Sequence, residues 1–288
     1  MARMERRRLG RTGHESTVAI LGGAAFWQES DDAGPAFDEA IDRGVNHLDI
    51  APRYGAAEDI VGPLLEPVRD RIFVGCKTTR RNADGVRAQL EQSLTKLRTD
   101  HFDLYQMHAV TDVGVLEERV DAAEAILKAR DEGVVGFAGI TGHDLGAPRA
   151  FLEALRRWDL DTVMFPVNAR MWADADYRTA AEELLEVCAD RDVGVMAIKA
   201  AAKQPWTNGD RFATTWYEPH TDRDAIDAGI SFTLSIPGVH GFCTPGDLNV
   251  LHAALDAAER FTPMDGESRA RAIDEAAGLP SIFPMPVA

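Results

Sequence analysis

From Val45 to Gly62 the chain reads VNHLDIAPRYGAAEDIVG. Val45 to Ile50 is short and rich in apolar residues, which predicts a buried strand running out at a carboxylate, Asp49. Pro52 forbids a helix immediately after it, Tyr54-Gly55 turns the chain, and residues 57–66 have the composition of a helix. This strand–loop–helix unit therefore carries an acid and a phenol five residues apart at the strand's mouth.

The same unit repeats outward in both directions. Upstream, Val18–Gly22 is a first strand with a helix around Ala33–Arg43. Downstream, Arg71–Lys77 is a third strand, followed by a helix over Asp84–Leu97 with Val86, Leu90, Leu94 and Leu97 on one face. Phe102–Met107 precedes a helix at Leu116–Glu132, Val134–Ile140 one at Pro148–Trp158, and Thr162–Val167 one at Tyr177–Arg191. Gly194–Ile198 reads as the seventh strand. The apolar run Ile230–Ile236 reads as the eighth, before a helix at Asp247–Arg260. Eight such units over 288 residues predict an α/β protein, a (β/α)8 TIM barrel forming one domain over residues 1–288, since this architecture typically needs roughly 250 residues. No GxGxxG opens the first unit, which argues against an open doubly wound sheet.

Composition narrows the function. Charged residues make up 27% and hydrophobic ones 45% of the chain, as in a folded globular protein. The net charge of −16 argues against nucleic acid or an anionic membrane as partner. Three cysteines, Cys76, Cys188 and Cys243, lie far apart without a CxxC pair, so a reducing cytoplasm is expected and a structural metal site is not. Arg6-Arg7-Arg8 ahead of an apolar stretch is a poor signal peptide, because Arg11, His14 and Glu15 interrupt it.

Four polar residues fall at three successive strand ends: Asp49, Lys77 and His108, with Tyr54 in the loop after the second strand. In a barrel these meet at the C-terminal face. A phenol with a pKa of about 10 is a poor acid near neutrality, and a neighbouring ammonium is expected to lower it. Asp49 can keep Lys77 charged, and His108 can donate to a carbonyl oxygen. Singly, each has a structural explanation, as a helix cap, core histidine, loop packing or a snorkelling lysine. Together they can polarise a carbonyl and deliver a proton to it.

The chain resembles the aldo/keto reductases over nearly its full length. The motifs are Arg7-Arg8-Leu9-Gly10-Arg11-Thr12-Gly13, Asp49-Ile50-Ala51-Pro52-Arg53-Tyr54-Gly55 with Glu58 and Gly62, Lys77, Asp103-Leu104-Tyr105-Gln106-Met107-His108, and Ile236-Pro237-Gly238. The resemblance implies that Asp49, Tyr54, Lys77 and His108 are the catalytic tetrad. It also implies a nicotinamide cofactor, NADP(H) or alternatively NAD(H), passing hydride to or from a small carbonyl or alcohol substrate. Cofactor contacts are expected from Thr141, Asn168, Ile198, Lys199, Pro237, Gly238, Thr244 and Asp247. Here the chain departs from the family pattern, with Thr141-Gly142 for Ser-Asn, Met164 for Gln, Ile198 or Lys199 for a stacking aromatic, and no Lys or Arg from Pro237 to Asp247. Trp27, Trp172 and Trp216 are expected to wall the substrate. Rival readings are a Schiff-base aldolase on Lys77 or Lys199, a metal hydrolase on His47, Asp49 and His108, and a cofactor-binding regulatory or redox-neutral isomerase/lyase-type barrel.

Overall fold

Eight parallel strands close on themselves in the computed structural model, which describes residues 4–207 and 211–283. They are β1 (Ala19–Gly22), β2 (His47–Asp49), β3 (Phe73–Thr78), β4 (Phe102–Met107), β5 (Val135–Thr141), β6 (Thr162–Pro166), β7 (Gly194–Ile198) and β8 (Gly241–Cys243). Each pairs in parallel with the next, and β8 closes the ring by pairing Phe242 with Ala19 and Gly241 with Met196. The outer helices are α1 (Ala33–Asp42), α2 (Ala57–Leu65), α3 (Ala83–Lys96), α4 (Val120–Asp131), α5 (Ala147–Arg157), α6 (Ala175–Asp190), α7 (Arg223–Ser235) and α8 (Leu248–Glu259). A final helix, Gly266–Ala276, follows α8. No helix among the described residues is long and apolar enough to cross a membrane.

Local chemistry explains where several helices begin. Asn82, Asp174, Asp222 and Asp247 each precede a helix and accept backbone N–H groups from its first turn, satisfying donors that the helix cannot pair itself. Inside the barrel, Ile20, Phe73, Leu104, Met164 and Met196 pack together, with Leu9 entering from below. Leu9 belongs to the turn of a hairpin, Arg6–Arg8 paired with Glu15–Thr17. Arg7 ties this hairpin to the barrel's N-terminal end by donating to the carbonyls of Leu234 and Val239 at 2.9 and 2.8 Å. One end is thereby sealed, and the strand C-termini are left to form the site.

Two boundaries differ from the sequence reading. The run Ile230–Ile236 is not the eighth strand, because Ile230–Ser235 belongs to α7, where Ile226, Ile230, Thr233 and Leu234 are buried. A short apolar run buried nearly all round has no periodicity that separates strand from helix. The true β8 is the three-residue Gly-Phe-Cys that follows. The helix expected at Leu116–Glu132 is two, Val113–Glu117 and α4. Arg119 lies between them and donates to the His108 carbonyl at 2.7 Å.

Candidate active site

Asp49 is the last residue of β2, and Lys77 projects from β3 beside it. The Lys77 ammonium donates to the Asp49 carboxylate and, at 3.2 Å, to the Ile50 carbonyl. Gln106, two residues before His108 on β4, donates to the other Asp49 oxygen at 3.3 Å. Burial works against charge on both partners. It raises the Asp49 carboxyl despite the pull of Lys77, whereas at the lysine the facing carboxylate more than offsets it and raises the ammonium's pKa, favouring the ion pair. The Lys77 Nζ lies 5.1 Å from the centre of the Tyr54 ring. His108 sits edge-on to the same ring, with centroids 5.7 Å apart and planes at 87°. The four residues thus converge as expected.

The phenol departs from expectation. Burial pushes Tyr54 up to about 12, overriding the opposing pull of Lys77. The ammonium is already paired with Asp49, so its net field on the phenol is weak, while desolvation of a phenolate is not compensated. Tyr54 therefore rests as a neutral O–H. His108 is likewise neutral, since burial and the Lys77 charge hold its pKa well below the usual imidazole value. Its Nδ1 is buried without a partner among the described residues.

A cavity of about 370 Å³ opens onto this group. Its wall includes Trp27 and Trp216, which meet edge-to-face at 5.9 Å, and Trp216 tilts over Tyr54 at 5.7 Å. Gly55, at φ +58°, makes this wall possible: a Cβ there would fall 2.3 Å from the Trp27 carbonyl, a position only glycine tolerates. Thr141, Ile198, Lys199 and Thr244 also line the cavity. Gly142 shows why the Ser-Asn pattern is absent after β5. A Cβ at Gly142 would lie 1.8 Å from the Val110 carbonyl, so no asparagine fits.

Other expected contacts lie elsewhere. Trp172 is not on the cavity wall. It is buried against Tyr177 and Phe232 on the barrel's flank. Pro237 and Gly238 precede β8 and so lie toward the sealed end, beside Leu185 of α6. The Pro-Gly pair facing the site is Pro245-Gly246, displaced because β8 itself is displaced. Asn168 caps the short helix Ala169–Trp172 and donates to the Lys199 carbonyl at 3.1 Å. Asp247 accepts from the N–H groups of Asn249, Val250 and Thr214. The start of α8 therefore already holds a carboxylate on its first N–H groups. His47 is also apart from the tetrad, with its Nδ1 2.9 Å from Ser16 Oγ near the sealed end, which removes the metal-hydrolase grouping.

Sequence reading missed Gln106, although it shares a strand face with His108 at a spacing of two. It also missed Arg53, Tyr217 and Cys243 on the cavity wall. Phe283 reaches the wall from the C-terminal segment and stacks on His143 at 5.9 Å. No local sequence signal announces that contact.

Comparison with known proteins gives the family and the fold. Residues 20–261 match the model of the aldo/keto reductase family. The chain belongs to the aldo/keto reductase family. It is 28% identical over 215 residues to the uncharacterized oxidoreductase YqkF of Bacillus subtilis, covering 69% of this chain and 66% of that protein. It is 26% identical over 210 residues to methylglyoxal reductase YeaE of Escherichia coli, covering 69% and 70%. The chain thus spans slightly less than two thirds of the first curated relatives it matches. Among solved folds, aldo-keto reductase AKR11C1 from Bacillus halodurans, in its holo form, superposes with a TM-score of 0.74 at 22% identity, covering 96% of this chain and 98% of that one. An aldo-keto reductase from Klebsiella pneumoniae in complex with NADPH gives 0.71 at 21% identity, covering 99% of each chain. These two likenesses concern the fold.

Proposed function

We propose that this aldo/keto reductase family member is an NAD(P)H-dependent oxidoreductase that interconverts a small carbonyl compound and its alcohol, with Tyr54 as general acid and base. The observation that carries the reading is the convergence of the Tyr54 hydroxyl, the Lys77–Asp49 pair and the His108 ring on one cavity. When bound, the nicotinamide supplies or accepts the hydride. Thr141 and Thr244 offer hydroxyls, and Met164 and Ile198 offer apolar surface suited to a ring face. These residues fit a nicotinamide, and the NADPH complex of the Klebsiella neighbour supports the assignment.

In the reductive direction Tyr54 gives its proton to the carbonyl oxygen as negative charge develops there, and His108 orients that oxygen with a hydrogen bond. Lys77 stabilises the phenolate left behind, and Asp49 holds the ammonium in place. The pairing speaks against Lys77 as a Schiff-base amine, which must lose its proton to react. The test is purified protein with NADPH or NADH and a panel of aldehydes and ketones, followed by cofactor absorbance and by borohydride trapping. Cofactor oxidation without trapping supports the reading. Trapped substrate without cofactor oxidation, or no turnover of any pair, overturns it.

A further inference from the structure

The charge around the cavity runs against the charge of the chain. The protein carries a net −16, yet the only carboxylate on the cavity wall among the described residues is Asp49, which Lys77 already neutralises. Two cations on the same wall, Arg53 and Lys199, have no carboxylate within ion-pair distance among the described residues. The nearest acid to the lysine in charge terms, Asp144, is engaged by His143 Nδ1 at 3.1 Å instead.

Lys199 is held there with some rigidity. It ends the β7 arm at φ +71°, a conformation that disfavours side chains bearing a Cβ. Its carbonyl accepts from Asn168 Nδ2 and from the Ala202 N–H, both at 3.1 Å. The ammonium rests 4.6 Å from the Tyr217 ring centre and 5.3 Å from that of Trp216. Trp216 is the residue that tilts over Tyr54. The charge therefore stands on the same cavity wall as the proton donor, with Trp216 in contact with both. Burial lowers the amine to about 8, which leaves it charged near neutrality. Arg53 stands at the exposed rim one residue before Tyr54. Aromatic faces lower the cost of a half-buried ammonium but do not replace an anion.

We propose that the substrate carries an anionic group, a carboxylate or a phosphate, held by Lys199 and Arg53 while its carbonyl faces Tyr54 and His108. This rests on the carbonyl-reductase reading. Lysine offers a compact charge at the wall and arginine a two-pronged donor at the rim, both suited to carboxylate or phosphate oxygens. The aromatic wall suits the carbon framework between the two ends.

A matched pair of probes isolates the charge: 4-formylbenzoate and its methyl ester share ring and aldehyde and differ at the far end. A second pair, glyceraldehyde 3-phosphate against glyceraldehyde, separates phosphate from carboxylate. The wild type is expected to favour at least one anionic member by about tenfold in kcat/KM, and K199M and R53Q to lower that ratio about tenfold, mainly through KM. Equal use of charged and neutral members by the wild type, or an unchanged ratio in both variants, overturns the proposal. A rise in the NADPH dissociation constant of K199M matching its loss of turnover assigns the cation to cofactor phosphates and also overturns it. Quenching of tryptophan fluorescence by the unreacted probes, without cofactor, separates the two readings. Preferential binding of the anion with no turnover keeps this proposal and fails the reductase assignment, whereas equal binding of acid and ester fails this one alone.

Discussion

His47 and His108 occupy opposite ends of the same barrel. His47 is the first residue of β2 and His108 follows the last residue of β4. Burial holds both well below the ordinary imidazole pKa, so both are neutral. Their surroundings differ. His47 bonds Ser16, meets Phe73 edge-on at 4.8 Å, and faces His14 at 5.8 Å under the sealing hairpin. His108 faces Tyr54 and an open cavity. A perturbed histidine therefore does not mark a site by itself. What separates the two is whether the strand end beside them is covered, and the hairpin covers only one.

The comparison separates residues that act on chemistry from residues that act on stability. The largest expected effect is on turnover: Tyr54→Phe keeps the packing and removes the proton, so reduction should fall by about two to four orders of magnitude. Its denaturant midpoint and cofactor affinity should barely move. Near-full activity in this variant would remove Tyr54 from the mechanism.

Lys77→Met blurs the division, because it strips Asp49 of its partner inside the barrel. Loss of turnover should accompany a destabilisation of about 3–5 kcal/mol. Asp49→Asn should be milder on activity, since the ammonium survives. A Lys77→Met protein with wild-type stability and pH profile would show that the pair is not the buried unit described here.

At the sealed end the expectation reverses. Ser16→Ala leaves His47 Nδ1 without a partner and should cost about 1–3 kcal/mol, with kcat of the folded protein unaltered. A loss of turnover without a loss of stability would break the comparison. Acid should act at both ends. The folded pKa values of His14, His47 and His108 are all lowered by burial, so the unfolded chain binds protons first on acidification. Stability from these groups is complete above their unfolded pKa of about 6.5, and is lost as pH falls below it toward the folded values, at about 1.4 kcal/mol per pH unit for each group. His47→Phe should make that slope shallower, as measured by denaturant midpoints between about pH 7 and pH 5.

The smallest expected effect concerns the cofactor. The turn after β8, Thr244 to Asp247, holds no Lys or Arg, and Asp247 adds a negative charge. A 2′-phosphate finds no charge-assisted donor there, a contact typically worth about 1.5–3 kcal/mol. The ratio of NADH to NADPH dissociation constants should stay within about a hundredfold. A thousandfold preference for NADPH would reveal a cation arriving from another segment.

Much of this protein was legible in one dimension because its decisive signals are local. The strand–loop–helix unit at residues 45–62 repeats with short connections, and such units pack in few ways. Asp49, Tyr54, Lys77 and His108 are each tied to a strand end within a few residues, so finding the strands located them. Position across the fold was not legible. The apolar run at residues 230–236 lacks a distinguishing period, which displaced β8 and put Pro237-Gly238 in the expected site where Pro245-Gly246 lines the cavity. Trp172 and Trp216 look alike as loop tryptophans, yet a short helix buries one in the flank while the other leans on Tyr54. The state of Tyr54 depended on how much water the assembled walls exclude and on whether Lys77 was already paired. Both are set by segments far apart in the chain, and only the closed barrel brings them together.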